Sequence, residues 1–264
     1  VTVNLPKLAY YSKDESEFFA NLEHTMILAK ESLIIKRRII EEFTDSGLYP
    51  YCKHYLDGIK KRLGGYWKNH FSTIGLVGGN EACLNLFGEN LGSKKGIKFA
   101  QDILDFMRKK ALEFQQETGD NFNIEQTPAE SVSYSLALKN KEKDKNIICA
   151  NEKEYRKGAA PFLTNSTNLP VDFSDDIFEI LDIQDQIVTK YNGGSVIHVF
   201  LGEAVEDIEI LKKFVKVICT NYRIPYFSIT PTFSICPICG YLAGEHKYCP
   251  KCDDRIIREL KEKE

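Results

Sequence analysis

The order of apolar patterns along the 264 residues predicts an α/β fold, a sheet or barrel with helices outside it, closed by a small metal-stapled ribbon. Three observations carry this. Short strand-like runs alternate with helical stretches along most of the chain. Several stretches repeat apolar residues at steps of three and four. Two CxxC pairs, Cys236-Pro237-Ile238-Cys239 and Cys249-Pro250-Lys251-Cys252, lie within hairpin distance of each other.

Val1 to Leu5 reads as a strand stopped by Pro6. Ser12 to Glu15 has the form of a capping box. Phe19, Leu22, Met26, Ala29 and Leu33 then step at helical spacing until Gly47 and Pro50. Thr73 to Val77 reads as a strand running through Gly78-Gly79-Asn80 into a helix. Ile97 to Glu117 is a long helix with Ile103, Met107, Ala111 and Phe114 on one face and Gly119 beyond its end. Phe122, Ile124 and Gln126 alternate as a strand, and a helix follows Pro128. Lys139 to Asn146 is a charge run, read as a solvated loop. A helix over Ile177 to Lys190 leads through Gly193-Gly194 to the apolar strand Ser195 to Leu201. A helix from Val205 to Cys219 leads to the strand Tyr226 to Thr230, then to the cysteine module and a charged helical tail, Asp253 to Glu264. The predicted domains are residues 1–230, the ribbon 231–254 and the tail 255–264.

Composition narrows the function. The 35 basic and 38 acidic side chains give a net charge of −3, which does not suit a nucleic-acid surface. There is no run of about 18 apolar residues to span a membrane and no signal-peptide pattern. Cys52, Cys83, Cys149 and Cys219 stand singly, as buried small hydrophobes or surface thiols. That fits a reducing, cytoplasmic setting. No Walker-type loop is present, and Gly75-Leu76-Val77-Gly78-Gly79 does not match GxGxxG.

Each CxxC places two thiolates on one tight turn whose N–H groups can point at the sulfurs, and Gly240 eases the first turn. Four thiolates suit structural zinc and leave no open coordination position. Rubredoxin-type iron uses a similar knuckle, so sequence leaves both metals open. His246, between the pairs, is read as a bystander. Thr127-Pro128-Ala129-Glu130-Ser131 reads as a strand end followed by a capping box with Pro at the first helical position. A helix start of this kind offers free N–H groups to a phosphate. Thr164-Asn165-Ser166-Thr167-Asn168 is a run of short polar side chains, either a site lining or a polar turn.

Taken together, VTVNLPKLAYYSKDE, FSTIGLVGGNEACLN, EQTPAES, TNSTNLPV, GGSVIHVFLGE and SITPTFSICPICGYLAGEHKYCPKC resemble the C-terminal half of the anaerobic (class III) ribonucleoside-triphosphate reductases. They occur in that family's order and reach from residue 1 to residue 252.

The resemblance implies half of a ten-stranded α/β barrel shared with other glycyl radical enzymes. It implies reduction of ribonucleoside triphosphates to deoxyribonucleotides, in which a glycyl radical generates a cysteine thiyl radical that removes the ribose 3′ hydrogen. Implied partners are a radical-SAM iron–sulfur activase, formate or a redoxin as reductant, the remainder of the reductase chain, and a second copy in a homodimer. Cys236, Cys239, Cys249 and Cys252 match the family's zinc ligands below the radical loop. Thr127, Pro128, Ala129, Glu130 and Ser131 match its turn at the substrate phosphates. Asn165 and Ser166 fall in its polar segment near the substrate.

The chain also departs from the family. Its tail, DDRIIRELKEKE, carries no Arg-Val-x-Gly-Tyr-like glycyl radical motif. The resemblance places the thiyl cysteine and the nucleotide-sensing region before Val1. The expectation is that these 264 residues alone do not turn over. The alternative readings are another glycyl radical enzyme, against which the cysteine module argues, and a non-catalytic zinc-ribbon module.

Overall fold

The computed structural model describes residues 1–126, 129–201, 207–231, 233–244, 246 and 248–261. It divides into two compact units, Val1–Ser195 and Val196–Glu264.

The first unit is built on three parallel strands in chain order, β1 (Thr2–Asn4), β2 (Phe71–Val77) and β3 (Asn121–Glu125). Val3 sits opposite Leu76, and Ile74 opposite Ile124. Each strand feeds a helix at its C-terminal end. β1 leads directly into α1 (Leu5–Tyr10), which has Pro6 in its first turn and Asn4 as its cap. The proline therefore starts a helix here, since its missing N–H is not needed in a first turn. After α2 (Glu15–Asp45) and α3 (Pro50–Leu63), β2 leads into α4 (Gly79–Phe87). After α5 (Lys94–Thr118), β3 leads towards α6 (Glu130–Lys143). The short α7 (Glu152–Tyr155) and then α8 (Ile177–Val188) complete the unit.

The amphipathic patterns pack as expected. Phe18, Leu22, Met26 and Ala29 of α2 are buried with Ile103, Met107, Ala111 and Phe114 of α5 and with Ile74, Phe122 and Ile124 of the sheet. Phe114 meets Phe122 edge-on at 5.7 Å. The cap of α2 is Asp14, which accepts from the Glu17 N–H, in place of the predicted box starting at Ser12. Helix α3, which buries no residue, was not read from the sequence.

The charge run Lys139 to Asn146 is a correction. α6 continues to Lys143, and Asn140 and Lys141 are both buried. Asn140 accepts from the Asn4 amide at 2.8 Å, and Lys141 Nζ donates to Glu152 Oε2 at 2.6 Å. Partners distant in the chain turn a polar run into an inner face.

The second unit holds a parallel pair, β4 (Ile197–Leu201) and β5 (Phe227–Pro231), with α9 (Ile208–Asn221) between them in sequence. Ile197, Val199 and Ile218 are buried. An antiparallel hairpin follows, β6 (Phe233–Cys236) and β7 (Gly240–Ala243), and then α10 (Pro250–Lys261), which takes in Cys252. No helix among the described residues is long and apolar enough to cross a membrane.

Candidate substrate strap and metal centre

The C-terminal ends of β2 and β3 are joined by the polar segment Thr164 to Asn168, which lies across them like a strap. Gly78 N–H donates to the Thr164 carbonyl and Gly79 N–H to the Ser166 carbonyl, both at 2.8 Å. The Ser166 hydroxyl donates to the Leu76 carbonyl at 2.9 Å. At the other end, the Gln126 amide donates to Asn168 Oδ1. Thr167 pairs through its hydroxyl with Tyr191 at 2.9 Å, and its carbonyl accepts from Gln184. Ser166 and Thr167 are fully buried.

One carboxylate, not singled out in the sequence, holds the strap. Glu81 lies in the first turn of α4 and is fully buried. Its Oε2 accepts from the Thr164 N–H at 2.8 Å and its Oε1 from the Thr164 hydroxyl at 2.5 Å. Asn80 Nδ2 also donates to Oε1. Burial pushes the Glu81 carboxyl above the ordinary carboxylate range despite these donors. In sequence, an acid at this position looks like ordinary helix-dipole compensation, which is why it passed unmarked.

Close approach requires glycine at the strap. A Cβ on Gly79 would stand 2.9 Å from the Ser166 carbonyl oxygen and 3.2 Å from Thr167 Cα. Among the described residues, Ala129 (φ 45°) and Ser166 (φ 44°) are the non-glycine residues with positive φ. Each left-handed residue costs on the order of 1–2 kcal/mol. Both fall in segments chosen from sequence as substrate-binding. Strain of this kind gathers where a backbone must be aimed.

The two helix starts at this edge differ. At α4, strap carbonyls take the Gly78 and Gly79 N–H groups, and Glu81 fills the first turn. At α6, the cap is Ala129, whose methyl accepts nothing, and Ser131 is exposed. This corrects the predicted cap, since the helix starts at Glu130 and not at Pro128. Thr127 and Pro128 lie outside the described residues. Asn165 Oδ1 is a buried acceptor with no hydrogen-bond partner among the described residues. A buried acceptor left open costs about 1–3 kcal/mol, so it marks a place where a donor is expected.

The second unit carries the cysteine cluster. The ligand atoms of Cys236, Cys239, Cys249 and Cys252 all lie within 4.8 Å of one another. Cys252 Sγ is 3.6 Å from that of Cys236 and 3.4 Å from that of Cys239, far outside disulfide bonding length. The N–H groups of Ile238 and Cys239 donate to Cys236 Sγ, and the Cys252 N–H donates to Cys249 Sγ. Those of Cys239 and Ile238 draw the Cys236 thiol down to about 6. Cys252, beside the other sulfurs, is pushed up to about 12. The first thiolate forms readily and the last is opposed by its neighbours. A dication among them removes that opposition, so the donor set fits a metal ion. The His246 side chain is not in the cluster, and the His246 backbone N–H donates to Ser234 Oγ.

Of the single cysteines, Cys83 and Cys149 are buried and Cys219 is exposed. Burial raises Cys83 to about 12 and Cys149 to about 11, which makes both poor nucleophiles at neutral pH.

The family model described as anaerobic ribonucleoside-triphosphate reductase matches residues 1–261. The curated anaerobic ribonucleoside-triphosphate reductase of Haemophilus influenzae is 25% identical over 274 residues, which cover 96% of this chain and 36% of that protein. The Escherichia coli K12 protein of the same name is 24% identical, with the same coverage. The solved anaerobic ribonucleotide reductase of Thermotoga maritima with MES in the active site is 28% identical. Its TM-score is 0.70, covering 95% of this chain and 40% of that one. The same enzyme in complex with dATP and CTP gives 27% identity and a TM-score of 0.69, covering 95% and 39%. The chain thus spans little more than a third, 36%, of the length of the curated relatives it matches.

Proposed function

The chain belongs to the anaerobic ribonucleoside-triphosphate reductase family, and from that premise we propose that it is a working part of an enzyme reducing ribonucleoside triphosphates to deoxyribonucleotides. In this reading the first unit contributes to a ten-stranded α/β barrel in the cytoplasm. The glycine and cysteine of the radical chemistry come from outside these 264 residues, as do the nucleotide-sensing region, the activase, the formate or redoxin reductant and a second copy.

The observation that carries the reading is the contrast between the two helix starts. α4 is closed by the strap and Glu81, while α6 opens on Ala129 and the exposed Ser131. The first-turn N–H groups of a helix have no partners within it. They suit a triphosphate, with the positive end of the helix dipole behind them. Thr127, Pro128, Ala129, Glu130 and Ser131 form this phosphate turn. Asn165 supplies an acceptor for a substrate hydroxyl, and Ser166 acts through its backbone, because its hydroxyl is committed to Leu76.

Zinc held by Cys236, Cys239, Cys249 and Cys252 supplies a fixed fold for the hairpin and leaves no open coordination position. The residues around it set its geometry through N–H groups aimed at sulfur.

The test is assembly in trans. The chain, mixed without oxygen with the remaining length of a curated relative, its activase, reductant and CTP, should form deoxycytidine triphosphate. The chain alone should form none. An assembled complex that carries zinc and a glycyl radical signal, yet yields no deoxynucleotide, overturns the reading.

A further inference from the structure

On the outer side of α5, a groove of about 360 Å³ is lined by Asp105, Arg108, Lys109, Leu112, Gln115 and Asn192. It shares no residue with the strap, the α6 turn or the cysteine cluster. Two of its side chains, Gln115 and Asn192, are held by the edge of the sheet. The Phe122 N–H donates to Gln115 Oε1 at 3.2 Å, and the Ile124 N–H to Asn192 Oδ1 at 2.8 Å. Each amide thus spends its carbonyl on β3. Its NH₂ group, which only donates, is left without a partner among the described residues. The guanidinium of Arg108 and the ammonium of Lys109 form no ion pair among the described residues, although Lys109 is close enough to help lower the Glu113 carboxyl, whose main partner is Lys110. The one carboxylate on the wall, Asp105, pairs with Lys190 at 2.5 Å. Leu112, 53% exposed, gives the groove an apolar floor.

Asn192 holds its position because the next residue comes very close to β3. Gly193 N–H donates to the Ile124 carbonyl at 2.9 Å, and a Cβ there would stand 2.8 Å from Asn123 Nδ2. The groove therefore sets two amides tied to β3 beside two exposed cations of α5.

Two cationic groups and two amide NH₂ groups, with no free acceptor but the paired Asp105, suit an oxyanion. Four donor groups, three on α5 and one at Asn192, exceed what a planar carboxylate needs, for which a single Arg fork is enough, and suit a tetrahedral anion with more oxygens to satisfy. The volume lies near the lower end for small-molecule sites, about 300–1,000 Å³, and exceeds what a bare phosphate fills. We propose that this groove binds a phosphate monoester, with the phosphate on Arg108, Lys109, Gln115 and Asn192 and the organic group over Leu112.

The experiment is calorimetric titration of the zinc-loaded chain at low salt with phenyl phosphate, inorganic phosphate and citrate. Phenyl phosphate should bind more tightly than either of the others. The double variant Arg108→Gln/Lys109→Gln should lose roughly tenfold or more in affinity, the scale of charge-assisted hydrogen bonds. Asp105→Asn removes the only negative wall group and should tighten binding, an outcome that misfolding cannot produce. Ser131→Pro, in the proposed phosphate turn of α6, should leave this binding unchanged, which keeps the two sites distinguishable. Unchanged affinity in the double variant, weaker binding in Asp105→Asn, or equal affinity for citrate overturns the proposal.

Discussion

Glu81 and Thr164, 83 residues apart in the chain, are joined by two hydrogen bonds that use both oxygens of one buried carboxyl group. The link fixes the strap to the start of α4, and with it the edge where the substrate is proposed to lie.

Replacing Glu81 by Gln should change how stability depends on pH. Burial raises the folded-state value of this acid above its ordinary value. Its contribution is therefore fully present below the ordinary carboxylate value and is lost as pH rises through the raised one. Denaturant unfolding from pH 4 to pH 8 should show wild-type stability falling relative to Glu81→Gln. At low pH the two should lie within about 1–3 kcal/mol, the scale of a buried hydrogen-bond mismatch. Parallel profiles would show that Glu81 does not titrate in this window.

Ser131→Pro removes one N–H from the first turn of α6, where proline is sterically tolerated. Triphosphate affinity should fall roughly tenfold, the scale of one hydrogen bond to a charged group. Equilibrium binding of CTP measures this, and unchanged circular dichroism confirms that the helix survives. An unaltered dissociation constant would remove the α6 turn from the phosphate site.

The contrast between Ser131 and Glu81 shows how far the sequence could be read. α2, α5 and the sheet strands announce themselves by apolar periodicity, because one face of each is buried by the core. The α6 turn was visible because proline follows a strand end, but its cap was misplaced. Positive φ at Ala129 is imposed by surroundings, and alanine carries no sign of it. Lys141 looked solvated because its partner, Glu152, lies on another element. Glu81 could not be found at all, since its role depends on a segment 83 residues away.

Lys141→Met tests the buried pair. Lys141 is 2% and Glu152 21% exposed in their side chains. Removing one partner of a buried pair costs about 3–5 kcal/mol. Chemical denaturation should show a loss of that order, partly recovered in Lys141→Met/Glu152→Gln. A double variant no more stable than the single one would argue against the pairing.

Metal removal should act on one unit only. Elemental analysis should find one zinc per chain, and strong chelation should abolish hydrogen-exchange protection over 233–252. Protection of Phe18, Leu22, Met107 and Phe122, in the core of the first unit, should persist. Loss of protection in both segments together would show that the units fold as one.

The strap has a consequence for synthesis. A ribosome adding about 5–20 residues per second delivers Glu81 several seconds before Thr164. For that interval α4 can form beside β2, but its first turn has no cover and its carboxyl group meets water as an ordinary acid. The emergence of Thr164 closes that turn and takes the acid out of solvent. The edge proposed to receive substrate is among the last parts of this unit to be finished as the chain is made.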